Sequence, residues 1–285
     1  MNKLRGISLM RNIFFILTLV LIIYSILSKY LPQYALNLDT FFATRKEIVS
    51  DDIKYHGLVI TNKAGISSIR TIMDIKRRYL VGEMVVYEGR VGSSDIAVGI
   101  CNDGKINATA MATTLILKCN ISDLTLINTG TSLSKELKED AIIIGNYIYQ
   151  FDIGNIVTEK FPWVDRGNLF HTRVIAPNIP FRDNAYLNIE GLTKKVIISN
   201  IVTGDIKISN STHADILKNT YGALISDSEA VAVGLVARKF NIPFTAISII
   251  SSYPFSNIVS FDIIERDILV SKIVQVLSKP NKSEN

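Results

Sequence analysis

The sequence predicts an α/β fold, a sheet with helices on both faces. Three observations predict it. Short apolar runs of strand length, such as YHGLVI, LTLIN and FTAISII, recur along the chain. They alternate with stretches whose apolar residues return at helical spacing. Apolar residues make up 48% of the 285, ample for a sizeable core in one large domain or two small ones.

The first element is Ile13–Leu27, IFFILTLVLIIYSIL, preceded by Lys3, Arg5 and Arg11. It falls short of the roughly 20 residues of a full membrane span, yet it lacks the polar face of a soluble core helix. Ser28-Lys29-Tyr30-Leu31-Pro32 offers no small-x-small cleavage pattern, and no cysteine follows for a lipid anchor. An uncleaved signal anchor is therefore preferred to a cleaved signal peptide or a buried helix. The positive flank predicts that end in the cytoplasm and the domain on the extracytoplasmic side. The expected organisation is an anchor or signal peptide over residues 1–30, a linker over 31–52, one domain over 53–278 and a flexible polar tail over 279–285.

Within the domain, Tyr55–Ile60 reads as the first strand, and Ile66–Tyr79 has helical spacing. Met84–Tyr87 and Asp95–Cys101 read as strands joined by a turn at Gly92-Ser93-Ser94. Ile106–Lys118, rich in Ala and Leu, is a helix. Leu124–Asn128, Ala141–Phe151 and Val196–Val202 are strands. Glu229–Phe240 is a helix with small apolar residues all round, hence buried. Phe244–Ile250 is a buried strand, and Phe261–Leu277 a final amphipathic helix. Ligands in such folds sit at the carboxyl ends of strands. Three polar segments follow strands directly, Asn128–Ser132, Thr203–Ser211 and Ser251–Ser252; Ser226–Glu229 opens the buried helix. The expectation is that these four converge on one pocket.

The net charge of +5 is misleading. Lys3, Arg5, Arg11 and Lys29 all fall in residues 1–30 with no acid among them, so the remainder is close to neutral. That excludes a nucleic-acid footprint. Lys76-Arg77-Arg78 reads as a solvated helix face or loop. Cys101 and Cys119 read as buried free thiols, and neither they nor the three histidines form a metal motif. No cofactor is expected.

Two stretches, GKINATAMATTLILKCNISDLTLINTGTSL at Gly104–Leu133 and Ile201–Ser252 with VTGDIKISNS, ISDSEAVAVGLVARKFNIPF and AISIISS, resemble the methylthioadenosine/S-adenosylhomocysteine nucleosidases of the nucleoside phosphorylase superfamily. Order and spacing match over roughly residues 54–278, and Asn241-Ile242-Pro243-Phe244 is the most specific piece. The resemblance implies a three-layer αβα sandwich, here preceded by one N-terminal hydrophobic helix, a homodimer, a purine nucleoside ligand, and hydrolysis of an N-glycosidic bond to release adenine. Such a reaction needs an acid at the purine, a base for water and a carboxylate on the ribose hydroxyls.

Carried over by position, the ribose-gripping glutamate falls on Glu229, the methionine before it on Ser228 and the acidic residue before that on Asp227. The purine-stacking aromatic falls on Lys207, its neighbour on Ile208, and the loop serine on Thr131. Leu133 replaces a glycine and is expected to add bulk near the base. The purine-handling aspartate falls on Ser252, next to Ser251. The water-activating glutamate falls on Gly65, with no carboxylate in residues 61–66, and an arginine falls on Ser248. The resemblance so corrected implies a pseudoenzyme, with a partial ribose site but most or all hydrolysis lost. An active nucleosidase or phosphorylase with altered acid–base groups, and a surface scaffold using only the fold, are the alternatives. Asp152 is the one candidate for a replacement carboxylate, and Trp163 is a candidate purine stack for which core packing is the preferred reading. Asp205 reads as structural. Ser226–Glu229 also reads as a capping box, with Ser226 the cap and Glu229 reaching back.

Overall fold

Runs such as Tyr55–Ile60 and Phe244–Ile250 place apolar side chains at successive positions, the mark of a strand covered on both faces. The computed structural model describes residues 18, 44–45, 53–61, 65–137, 141–152, 171–173, 186–189, 192–254 and 263–278. In chain order the elements are β1 (Thr44–Arg45), β2 (Tyr55–Ile60), α1 (Gly65–Ile72), β3 (Asp74–Val81), β4 (Met84–Val91), β5 (Ser94–Ile100), α2 (Lys105–Lys118) and β6 (Ile121–Ser132). They continue as β7 (Ile142–Gln150), β8 (His171–Arg173), β9 (Tyr186–Ile189), β10 (Leu192–Thr203), α3 (Ser211–Tyr221), β11 (Ala223–Asp227), α4 (Ala230–Lys239), β12 (Phe244–Ser252) and α5 (Ile263–Leu277).

All the described strands belong to one mixed sheet, in the order β1-β3-β4-β5-β2-β6-β11-β10-β7-β12, with β8 on β7 and β9 on β10. Because β12 also pairs with β6, the second half of the sheet closes on itself. β2 lies parallel between β5 and β6, and β12 runs parallel to β6 but antiparallel to β7.

Alternate side chains of one strand serve opposite faces. Val59, Leu124, Leu126 and Ala246 pack with Met111 and Leu115 of α2 and Val233 and Ala237 of α4. Leu58, Ile60, Ile127 and Ile247 pack instead with Ile69 of α1 and Leu269, Val270 and Ile273 of α5. Helices therefore cover both faces. A smaller core gathers Leu133, Phe151 and Val202 against Ala214, Leu217 and Tyr221 of α3.

The helix expected over Ile66–Tyr79 is corrected: α1 stops at Ile72 and residues 74–81 are strand. Val81 pairs with Met84 across a two-residue hairpin loop, and the register runs back to Asp74 opposite Arg90. Cross-strand pairing outweighs a local helical pattern here. Lys76-Arg77-Arg78 is accordingly neither helix face nor loop. Arg77 reaches inward to Glu88, Nη2 to Oε2 at 2.5 Å, and Arg78 lies 5.8 Å from the Tyr87 ring centroid. The expected turn at Gly92 is present, with φ 58°, a value that suits glycine. β6 runs four residues further than expected, through Ser132, and α3 and β11 were not expected at all.

The apolar segment Ile13–Leu27 except Thr18, most of the linker, Trp163 and the tail 279–285 lie outside the described residues. Among the described residues, no helix is long and apolar enough to cross a membrane. Cys101 and Cys119 are free and buried.

Candidate functional site

The carboxyl ends of β6, β10 and β12 and the turn from β11 into α4 surround a cavity of about 440 Å³, within the size range of small-molecule sites. The four polar segments converge there: Thr129–Thr131, Gly204–Ile208, Ser226–Glu229 and Ser251–Ser252 all line it, joined by Asp103 and Arg266. Gly130 permits the close approach of β6 and β11. A Cβ at that position would stand 2.5 Å from the Ser226 carbonyl oxygen.

Asn128 organises the floor. Its Nδ2 donates to Asp227 Oδ2 at 2.7 Å and to Glu229 Oε2 at 2.8 Å. Its Oδ1 accepts from Ser248 Oγ at 2.6 Å. Glu229 Oε1 also accepts from the Gly104 backbone N–H at 2.8 Å and from Ser228 Oγ at 2.5 Å. Gly104 caps α2, so the carboxylate sits at a helix N-terminus, where negative charge is favoured. Asp227 Oδ1 accepts from Thr203 Oγ1 at 2.6 Å, and the Ala230 N–H points at both carboxylate oxygens at 3.3–3.4 Å. Burial raises the Asp227 pKa, and the neighbouring Glu229 charge raises it further, against the bonds from Thr203, Asn128 and Ala230.

This geometry corrects the capping-box reading. Ser226 belongs to β11, and α4 begins at Ala230 with no side-chain cap from Glu229. Instead Asp227 meets the Ala230 N–H, and the Glu229 side chain reaches across to α2 and β6.

Ser252 Oγ lies 2.8 Å from Thr131 Oγ1, and Ser251 Oγ donates to the Gly130 carbonyl at 3.3 Å. Gly65 opens α1. Lys207 is exposed where it meets the cavity, whereas Ile208 is buried. Leu133 adds no bulk to the cavity: it is fully buried in the core under α3. Asp152 is held at the edge and does not line the cavity. Lys105 Nζ lies 2.5 Å from its Oδ2, the Asp205 N–H donates to the same oxygen at 2.8 Å, and Gln150 Nε2 donates to Oδ1 at 2.9 Å. Burial pushes the Asp152 pKa up, but these bonds outweigh it and hold the carboxyl below its usual range. Asp205 joins the same knot, 3.2 Å from Lys105.

The Cys101 thiol is pushed up to about 12 by burial, then by the Glu229 and Asp103 charges, so it is no nucleophile at neutral pH. Among the described residues no group of three His, Cys, Asp or Glu gathers to hold a metal ion. Sequence reasoning placed Thr203 at the head of a polar segment but did not single out Asp103, Lys105 or Arg266. It had placed Asn128 in a polar segment and Ser248 at a replaced arginine, but not their bond to each other. A polar residue closing a continuous apolar run, as Asn128 closes LTLIN, is the signal available for the first of these.

Residues 73–265 match the family model described as the phosphorylase superfamily. The chain is 28% identical over 176 residues to the 5'-methylthioadenosine/S-adenosylhomocysteine nucleosidase of Staphylococcus saprophyticus, covering 58% of this chain and 71% of that protein. Among solved structures it is similar to the futalosine hydrolase of Helicobacter pylori, with TM-score 0.63, 16% identity and coverage of 79% of this chain and 97% of that one. It is equally similar to the 5'-methylthioadenosine/S-adenosyl homocysteine nucleosidase of Campylobacter jejuni, with TM-score 0.63, 16% identity and coverage of 80% and 100%.

Proposed function

The chain belongs to the phosphorylase superfamily, and from that premise we propose that it is a nucleosidase-like protein that keeps a partial nucleoside site, centred on Glu229, and has lost most or all N-glycosidic hydrolysis. The observation that carries the reading is at position 252. A serine hydroxyl stands there, 2.8 Å from Thr131, where the nucleosidase pattern has an aspartate. A hydroxyl is a far poorer proton donor to a leaving purine than a carboxylic acid. Losing one acid–base group costs about 10²–10⁴ in rate. The second group fares no better, since Gly65 has no ionisable side chain to activate water. Asp152 does not make good either loss: a carboxyl held low and tied to Lys105 stays ionised at neutral pH, so it has no proton to give the purine and is a weak base toward water.

The floor, by contrast, is suited to a sugar. Glu229 is fixed by three donors, and Oε2 takes only one of them. That leaves acceptor capacity on the oxygen for a ligand hydroxyl. A second reading, a hydrolase with a changed acid set, is favoured by one feature: Asp227 lines the cavity with a raised pKa. The anchored, extracytoplasmic placement and a homodimer complete the proposal. They rest on the apolar Ile13–Leu27 segment and on the nucleosidase resemblance.

Chromatography of adenine released from methylthioadenosine and S-adenosylhomocysteine by the purified chain tests this function. No release above the uncatalysed background is expected. Turnover of about 1 s⁻¹ or faster, the ordinary enzyme range, overturns it. In that case Asp227→Asn decides whether the second reading supplies the acid.

A further inference from the structure

The carboxylates of the cavity floor are already engaged by protein donors, whereas one cation at the cavity keeps a buried donor unused. Arg266 stands near the start of α5 and lines the cavity together with Asp103. Its Nε is buried and meets no hydrogen-bond acceptor among the described residues. A buried charged donor left unmade is costly, and a guanidinium fork matches the oxygens of a carboxylate or phosphate. Burial lowers the Arg266 pKa, opposed first by Asp103 and then by Asp267, but a guanidinium remains charged at neutral pH. Lys207 brings a second positive charge to the same cavity.

The rest of the wall is rich in hydroxyls. Thr129, Thr131, Ser226, Ser228, Ser251 and Ser252 all line it, and no aromatic ring does among the described residues. Such a wall favours a hydroxylated ligand over a stacked base. We propose that Arg266 forms an anion subsite of this cavity, taking the phosphate or carboxylate of a ligand whose hydroxyls reach toward Glu229. The sugar half of this statement rests on the function proposed above; the anion half stands on Arg266 itself.

Isothermal titration calorimetry of the full chain at low ionic strength, with ribose, ribose 5-phosphate, ribonate and inorganic phosphate, tests it. At least one of the two anionic sugars is expected to bind tenfold or more tighter than ribose, and whichever binds tighter identifies the anion. Arg266→Gln is expected to remove that advantage without changing the affinity for ribose, and Arg266→Lys to restore part of it. Inorganic phosphate binding as tightly as ribose 5-phosphate, and dependent on Arg266, supports the subsite while refuting the sugar grip of Glu229. Anionic sugars and phosphate binding no tighter than ribose in the unmodified chain overturn the proposal. So does an advantage that survives Arg266→Gln.

Discussion

Asp227 and Glu229 share one donor, the Asn128 amide, in a place with almost no solvent. Burial and the Glu229 charge raise the Asp227 pKa, and that has a measurable consequence. An unfolded aspartate titrates near about 3.9. Between that value and its higher folded pKa, the folded chain binds more protons than the unfolded one. Stability therefore falls as pH rises through this window. His56, raised mainly by its hydrogen bond to Asp123, acts in the same direction: its contribution is full below the unfolded histidine value and is lost as pH rises through its folded value. Urea unfolding at several pH values between 4 and 8 should show declining stability, and Asp227→Asn should flatten the decline while leaving the His56 part. An unchanged slope in Asp227→Asn would mean that Asp227 is ionised throughout. The positions of these residues were legible in the sequence, since all four polar segments meet in the cavity. Their bonding was not. The partner of Glu229 at Gly104 is 125 residues away and that of Asp227 at Asn128 is 99 away, separations that no local pattern encodes.

The elements that were legible are those whose signal is strong within one window. The two-sided apolar runs of β2, β6 and β12 and the small-residue helix α4 announce themselves. α1 ran too far because a helical spacing of apolar residues continues into a strand whose identity is set by its hairpin with β4. α3 and β11 were hidden in a polar stretch, although the helix carries both end signals. Asn210 Oδ1 accepts from the Thr212 N–H at 2.7 Å and the His213 N–H at 3.4 Å, and Gly222 closes the helix at φ 61°. That cap makes a test at the scale of the element. α3 buries Ala214, Leu217 and Tyr221 over the core that also holds Phe151 and Ile208. Asn210→Ala is expected to cost about 0.5–2 kcal/mol, a fall in melting temperature of roughly 1–8 °C for a domain of this size. Asn210→Gly should cost only a few tenths. Equal losses from both substitutions would show that the cap bonds carry little of the helix's stability.

The whole molecule joins this domain to an N-terminal segment of opposite character. Its positive excess lies almost entirely in residues 1–30, while the domain is close to neutral and so offers no electrostatic pull toward a membrane surface. Any membrane attachment must then come from Ile13–Leu27. Each Leu, Ile, Phe or Val near the middle of such a segment favours insertion by about 0.3–0.6 kcal/mol. A run so dense in them holds a chain in the bilayer by apolar contact, which neither salt nor alkali weakens. Full-length chain should therefore sediment with membranes and stay there through high-salt and alkaline-carbonate washes, whereas residues 31–285 should remain in the supernatant. Protease added outside intact cells should digest the domain if it faces outward, as the positive flank predicts. Full-length chain recovered in the soluble fraction would remove the anchor. Protection from external protease, with the chain still membrane-bound, would reverse its orientation. The outcome bears on the ligand as well, because a cavity facing outward meets the solutes of the extracytoplasmic side, whereas methylthioadenosine and S-adenosylhomocysteine arise inside the cell.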